Sequence, residues 1–222
     1  MLPVIGVMIR LERKQPFSQL ELHQEYVDAI IESGGDPLLL FEGSVWSHKE
    51  KKRLFRWLKQ CDGIVITGGD QPSSWDYYVL DYAMKHHLPV LGICLGMQVM
   101  ATYRNQEKLY LLSSNSHKQI GKKYVHDVQL EPNSKLFYLF GKQSTIEVNS
   151  RHMECVKTGG MFTVSGKSED GIVECLENPN HEFQIGVQWH PESMIGYDEN
   201  SKCLWKQFIK VCKKEMKSEK HG

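Results

Sequence analysis

No sign of charge dominates this chain of 222 residues: lysine plus arginine and aspartate plus glutamate each number 27, for a formal net charge of zero. Such a balance gives no electrostatic bias toward nucleic acid or a lipid surface, and neither is expected as a partner. No apolar run approaches the ~20 residues needed to span a bilayer. The six cysteines, Cys61, Cys94, Cys155, Cys175, Cys203 and Cys212, never fall in a C-x-x-C or zinc spacing. No metal or cofactor is therefore expected. Internal repeats and low-complexity linkers are absent. The first residues already read as a strand, with no leader segment before them. Scattered thiols of this kind fit a reducing cytoplasm.

What is present suffices for one sizeable core. Hydrophobic residues make up 41% of the chain, and its length fits a single domain over 1–222. Strand-like runs at 4–8, 37–40, 63–66 and 89–93 alternate with helical stretches at 18–33, 48–60, 75–87 and 95–102. In the first helical stretch Leu22, Tyr26, Ala29 and Ile30 share a face. Such alternation predicts an α/β fold: a mostly parallel sheet flanked by helices. From about 118 to 187 the pattern changes to short alternating runs, at 123–130, 144–148, 161–165, 171–176 and 182–187. These predict antiparallel hairpins added to the sheet in the C-terminal half. The basic run 202–220 carries Leu204, Phe208, Val211 and Cys212 at helical spacing. It predicts a closing helix with a solvated lysine face, then a frayed basic tail at about 216–222.

Two segments carry chemistry. Gly92-Ile93-Cys94-Leu95-Gly96-Met97-Gln98 sets a cysteine between glycines where an apolar strand meets a helix. A helix N-terminus favours a thiolate, and the N–H of Leu95 is free to face a developing oxyanion. Read alone, this string fits a small buried hydrophobe equally well. Val187-Gln188-Trp189-His190-Pro191-Glu192 changes the balance, since it supplies an imidazole and a carboxylate at another strand's C-terminal end. Cys94, His190 and Glu192 together make a nucleophile, a general base and an orienting acid. A third strand, 63–66, ends in Thr67-Gly68-Gly69-Asp70, whose backbone amides predict an oxyanion hole of Gly69 and Leu95 N–H groups. Gln98 lies one helical turn past Cys94 on the same face and is a candidate substrate contact, with core packing as its alternative.

These motifs resemble those of the class I glutamine amidotransferase-like superfamily, and most of all the γ-glutamyl hydrolases and γ-glutamyl-γ-aminobutyrate hydrolases. The likeness also takes in Pro3-Val4-Ile5-Gly6-Val7, Ser33-Gly34-Gly35-Asp36-Pro37, Val148-Asn149-Ser150-Arg151-His152 and Asp170-Gly171-Ile172-Val173-Glu174. It implies a flavodoxin-like sheet of the glutamine amidotransferase type. It also implies substrate contacts from Gly68, Ser150 and His152, no cofactor, and a small γ-glutamyl substrate. Homodimers are common among such look-alikes. Glu154 stands where that group tends to carry glutamine, and the turn Gln71-Pro72-Ser73-Ser74-Trp75 is shorter than usual. The acidic Glu154 suggests a cationic leaving amine such as a polyamine.

The expected reaction is hydrolysis of a γ-glutamyl amide through a Cys94 thioester. The alternative is a glutaminase subunit that uses the same residues on glutamine and passes ammonia to a synthetase partner. A non-catalytic scaffold would have no need of a base and its orienter.

Overall fold

The computed structural model describes residues 1–13, 17–43 and 47–219. Strand β1 (Val4–Arg13) is followed by β2 (Ser18–Glu21), α1 (Gln24–Glu32), β3 (Asp36–Phe41), α2 (His48–Leu58) and β4 (Gly63–Ile66). Then come α3 (Ser74–Lys85), β5 (Val90–Ile93), α4 (Leu95–Thr102) and the short β6 (Tyr110–Leu111). The second half holds β7 (His126–Leu130), α5 (Lys135–Leu139), β8 (Thr145–Val148), β9 (Glu154–Cys155), β10 (Thr163–Ser168), β11 (Val173–Glu177) and β12 (Gln184–Val187). It closes with α6 (Glu199–Glu219). Of the tail expected at 216–222, residues 216–219 continue this helix and the last three lie outside the described residues.

Ten strands form one mixed sheet. Its parallel part runs β3-β1-β4-β5-β12, and β11, β10, β7 and β8 extend it antiparallel. Side chains alternate between two faces, as strand geometry requires. Ile5, Val7, Val65, Leu91 and Ile93 pack with Trp205 and Phe208 of α6 on one face. Met8, Ile64, Ile66 and Val90 pack with α2, α3 and α4 on the other. Both faces are covered, which is why the central strands read as continuous apolar runs.

The sequence expectation for 18–33 is corrected. β1 runs on past Met8 to Arg13, and Ser18–Glu21 pairs with it antiparallel, Leu11 facing Leu20 and Arg10 facing Glu21. The helix begins only at Gln24. Ser-Gln-Leu-Glu carries no apolar period of its own, and a ready partner strand overrides its helical tendency. The four residues of β2 are exposed and pair with the carboxyl-terminal end of β1, beyond the stretch of β1 that pairs with β3. The short helix α5 is an addition to the expected elements. Ser134 caps it by accepting the Phe137 N–H at 3.1 Å.

Candidate active site

Cys94 stands between β5 and α4 at φ 54°, ψ −106°. A non-glycine residue rarely adopts this region, and it persists only where its surroundings fix it. Here they do. The Cys94 N–H donates to the Val187 carbonyl at 2.8 Å, extending the β5–β12 ladder, and its carbonyl accepts the Gln98 N–H at 3.2 Å. The turn is tight enough that a Cβ on Gly96 would collide with the Ile66 carbonyl oxygen. Leu95 is the first residue of α4, so its N–H has no carbonyl four residues back within the helix.

His190 follows β12 and lies beside Cys94. Its Nδ1 is 2.7 Å from the Glu192 carboxylate, whose side chain is fully enclosed. Burial alone would lower the imidazole pKa. The Glu192 charge, then the charge of and hydrogen bond with Cys94, overcome it and raise His190 from 6.5 to about 10. Asn149 holds the backbone of His190 at both ends, accepting its N–H at 2.8 Å and donating to its carbonyl at 2.9 Å.

A cleft of about 370 Å³ opens above Cys94 and His190. Its floor includes Thr67, Gly68 and Gly69; Glu12, Glu21, Leu22 and His23 of the β1–β2 hairpin region wall it. Arg10 braces the glycine loop. Its Nε donates to the Gly68 carbonyl at 2.9 Å, a terminal nitrogen donates to the Thr67 carbonyl, and the other pairs with the buried Asp76 at the start of α3. The Gly68 N–H is engaged by the Tyr26 hydroxyl at 3.0 Å. Burial, reinforced by the Glu192 charge, raises the Tyr26 phenol well above its usual pKa, so it stays a neutral hydroxyl.

Cys94, His190, Glu192, Gly68, Gly69 and Leu95 thus come together. Three expected substrate contacts are placed elsewhere, buried and off the cleft lining. The Gln98 amide donates to the Glu154 carbonyl at 2.8 Å and to Gln188 at 3.1 Å. Ser150 Oγ donates to the His117 carbonyl at 2.6 Å. His152 Nδ1 meets the Glu154 carbonyl at 3.0 Å, and its ring packs on His117. The Glu154 carboxylate accepts from Gln71, at 3.0 and 3.1 Å, and likewise lies off the cleft lining. The structure adds Arg10, Tyr26 and Asn149 to the site. A lone arginine in a strand carries no local signal, whereas Asn149 lies inside a segment that sequence alone marks out.

Residues 70–192 match the peptidase C26 family model. The chain is 30% identical to γ-glutamyl-γ-aminobutyrate hydrolase PuuD of Escherichia coli (strain K12), covering 95% of this chain and 93% of that one. It is 32% identical to a putative glutamine amidotransferase of Schizosaccharomyces pombe, covering 87% and 83%. Among solved structures, a putative GMP synthase component from Thermoplasma acidophilum superposes with a TM-score of 0.72 at 20% identity, covering 99% and 98% of the two chains. The glutaminase domain of Trypanosoma brucei CTPS with bound acivicin gives 0.69 at 17% identity, covering 96% and 94%. With a family model spanning the cysteine turn and the histidine strand, and relatives aligned over most of its length, the chain belongs to the peptidase C26 family and has the glutamine amidotransferase-like fold.

Proposed function

We propose that this chain is a cysteine-dependent hydrolase of small γ-glutamyl amides. The observation that carries the reading is the strained Cys94 beside an imidazole whose far nitrogen is held at 2.7 Å by an enclosed carboxylate. The Cys94 thiolate attacks the γ-carbonyl carbon, forming a C–S bond and moving the carbonyl electrons onto oxygen. The N–H groups of Leu95 and Gly69 hold that oxyanion, each such donor contributing about 3 kcal/mol. Gly69 is the better donor of the two loop glycines, because the Gly68 N–H is already taken by Tyr26. Collapse breaks the C–N bond as His190 gives its proton to the leaving amine. His190 then removes a proton from water, which attacks the thioester and releases glutamate. Glu192 keeps the ring in one tautomer and balances its charge throughout.

The cleft also bears on the substrate. Its lining carries Glu12, Glu21 and Asp70 against Arg10 and Arg151, and Arg10 is committed to the glycine loop and Asp76. Arg151 suits the glutamyl carboxylate, while Asp70 suits a leaving amine that bears a second positive charge. The cationic amine inferred from Glu154 thus draws its support from Asp70, since Glu154 lies off the cleft lining. E. coli PuuD is named for an amide of γ-aminobutyrate, a leaving group that ends in a carboxylate. The two classes of amine are therefore the informative pair to compare.

The test is glutamate release from γ-glutamyl amides of polyamines, γ-aminobutyrate and ammonia (glutamine), with Cys94→Ala as control. Cys94-dependent cleavage of a conjugate with glutamine spared is expected. Failure on every amide by the isolated chain, with glutaminase activity appearing only on adding a synthetase, would favour the ammonia-delivering role. That reading draws on solved neighbours that include a putative component of a synthase.

A further inference from the structure

Away from the cleft, the side chains of His117, His126, His152 and Glu174 converge, with one ligand-capable atom of each within 4.8 Å of the others. They come from four segments: a turn, the first residue of β7, the loop between β8 and β9, and β11. His117, His152 and Glu174 are buried, and His126 is mostly so. His117 Nδ1, His126 Nε2 and His152 Nε2 lie 3.3, 3.6 and 3.6 Å from the same oxygen, Glu174 Oε1. These separations are long for charge-assisted hydrogen bonds, which run about 2.7–2.9 Å. They fit the edges of a tetrahedron whose centre-to-ligand bonds are about 2.0–2.2 Å, since such edges are about 3.3–3.6 Å. Among the described residues, none of the three nitrogens, nor either Glu174 oxygen, has a hydrogen-bond partner.

The outer nitrogens explain the inner ones. His117 Nε2 meets the Asp170 carboxylate at 3.0 Å, His126 Nδ1 the Asp127 carbonyl at 3.2 Å, and His152 Nδ1 the Glu154 carbonyl at 3.0 Å. Each outer partner only accepts, so each outer nitrogen carries the proton. The neutral ring then turns a lone pair inward, toward a carboxylate oxygen, which is repulsive unless a cation lies between. Protonating all three rings would set three imidazoliums against two carboxylates, a net positive charge in a buried cluster, and any ring left neutral would still turn a lone pair on Glu174. A divalent cation with three neutral imidazoles, Glu174 and the outer Asp170 sums to zero. Histidines oriented by outer carboxylate and carbonyl oxygens are the usual second layer of a metal site.

We propose that His117, His126, His152 and Glu174 bind a divalent transition metal of the zinc type as a structural ion. Expectations drawn from cysteine spacing could not reveal it, because its ligands are imidazoles brought together by the fold. With three nitrogens and one oxygen the site suits zinc and cobalt. It ties together the segments that hold His190. The Ser150 hydroxyl and the His152 N–H bond the His117 carbonyl, Asn149 grips His190, and the Gln188 N–H donates to the Glu174 carbonyl at 2.8 Å.

The experiment uses the full chain, freed of any histidine tag and purified from cells grown with added zinc. Elemental analysis should find about one metal per chain in the wild type and in Cys94→Ala, and a loss of most of it in His126→Ala and Glu174→Gln. His126 is the least buried ligand, so its variant keeps a folded comparison in hand. Metal-stripped wild type should bind cobalt with tetrahedral ligand-field absorption and gain melting temperature with added zinc. Absence of zinc or cobalt binding by folded wild type would overturn the proposal. So would binding that survives in folded His126→Ala and Glu174→Gln, or that disappears in Cys94→Ala.

Discussion

Asn149 closes a two-point hydrogen bond on the main chain of His190, taking its N–H at 2.8 Å and giving to its carbonyl at 2.9 Å. The imidazole is aimed by its own backbone as much as by Glu192. Asn149→Ala should leave the fold intact and lower kcat by about 10²-fold, the usual effect of misplacing a reacting group by ~1 Å. KM should change little, because Asn149 does not line the cleft. Steady-state kinetics beside far-ultraviolet circular dichroism check this.

His190 gives a prediction in pH. Its native pKa of about 10 lies above the ordinary 6.5, so its contribution to stability is fully present below pH 6.5 and is lost as pH rises through 10. Glu192→Gln removes the largest influence raising that pKa. The stability advantage of wild type over Glu192→Gln, measured by urea unfolding, should therefore shrink between pH 6.5 and 10. Nuclear magnetic resonance titration of the imidazole should show its midpoint falling in both Cys94→Ala and Glu192→Gln.

Arg10 is a structural brace at the site's edge, and Asp76 behind it is fully enclosed. Arg10→Met strands that carboxylate and should cost about 3–5 kcal/mol in unfolding free energy. Adding Asp76→Asn should recover part of the loss. Denaturant titration of the two variants tests it; a double variant less stable than Arg10→Met would remove Asp76 as the cause.

Gly96 has no room for a methyl group, because its place is held by the Ile66 carbonyl. Gly96→Ala should push α4 away from β4 and destabilise the protein by about 3 kcal/mol or more. Thermal unfolding of Gly96→Ala beside wild type measures it.

Elements with a local cause are legible in the sequence. Gly63–Ile66 and Leu95–Thr102 match their expected limits, because each is an apolar run bounded by glycine or by the cysteine turn. The approach of Cys94 to His190 follows from both lying at strand ends in a parallel sheet. Ser18–Glu21 reads as helix because its strand state depends on β1 running on to Arg13, a pairing no local pattern announces. His152 and Ser150 stand out in the sequence, but their partner His117 lies more than 30 residues away along the chain. Such long-range convergence also conceals the histidine cluster.

All four residues of β2 are exposed, and the cleft wall formed by Glu12 and Glu21 stands outside both hydrophobic cores. Rewriting the exposed β2 would therefore disturb little of what folds the protein, so long as Arg10 opposite it is kept. In the proposed function, the architecture separates the cysteine turn that would perform the reaction from the wall that would choose its reactant. New specificities can arise by changing a few surface positions while the catalytic geometry is inherited unaltered.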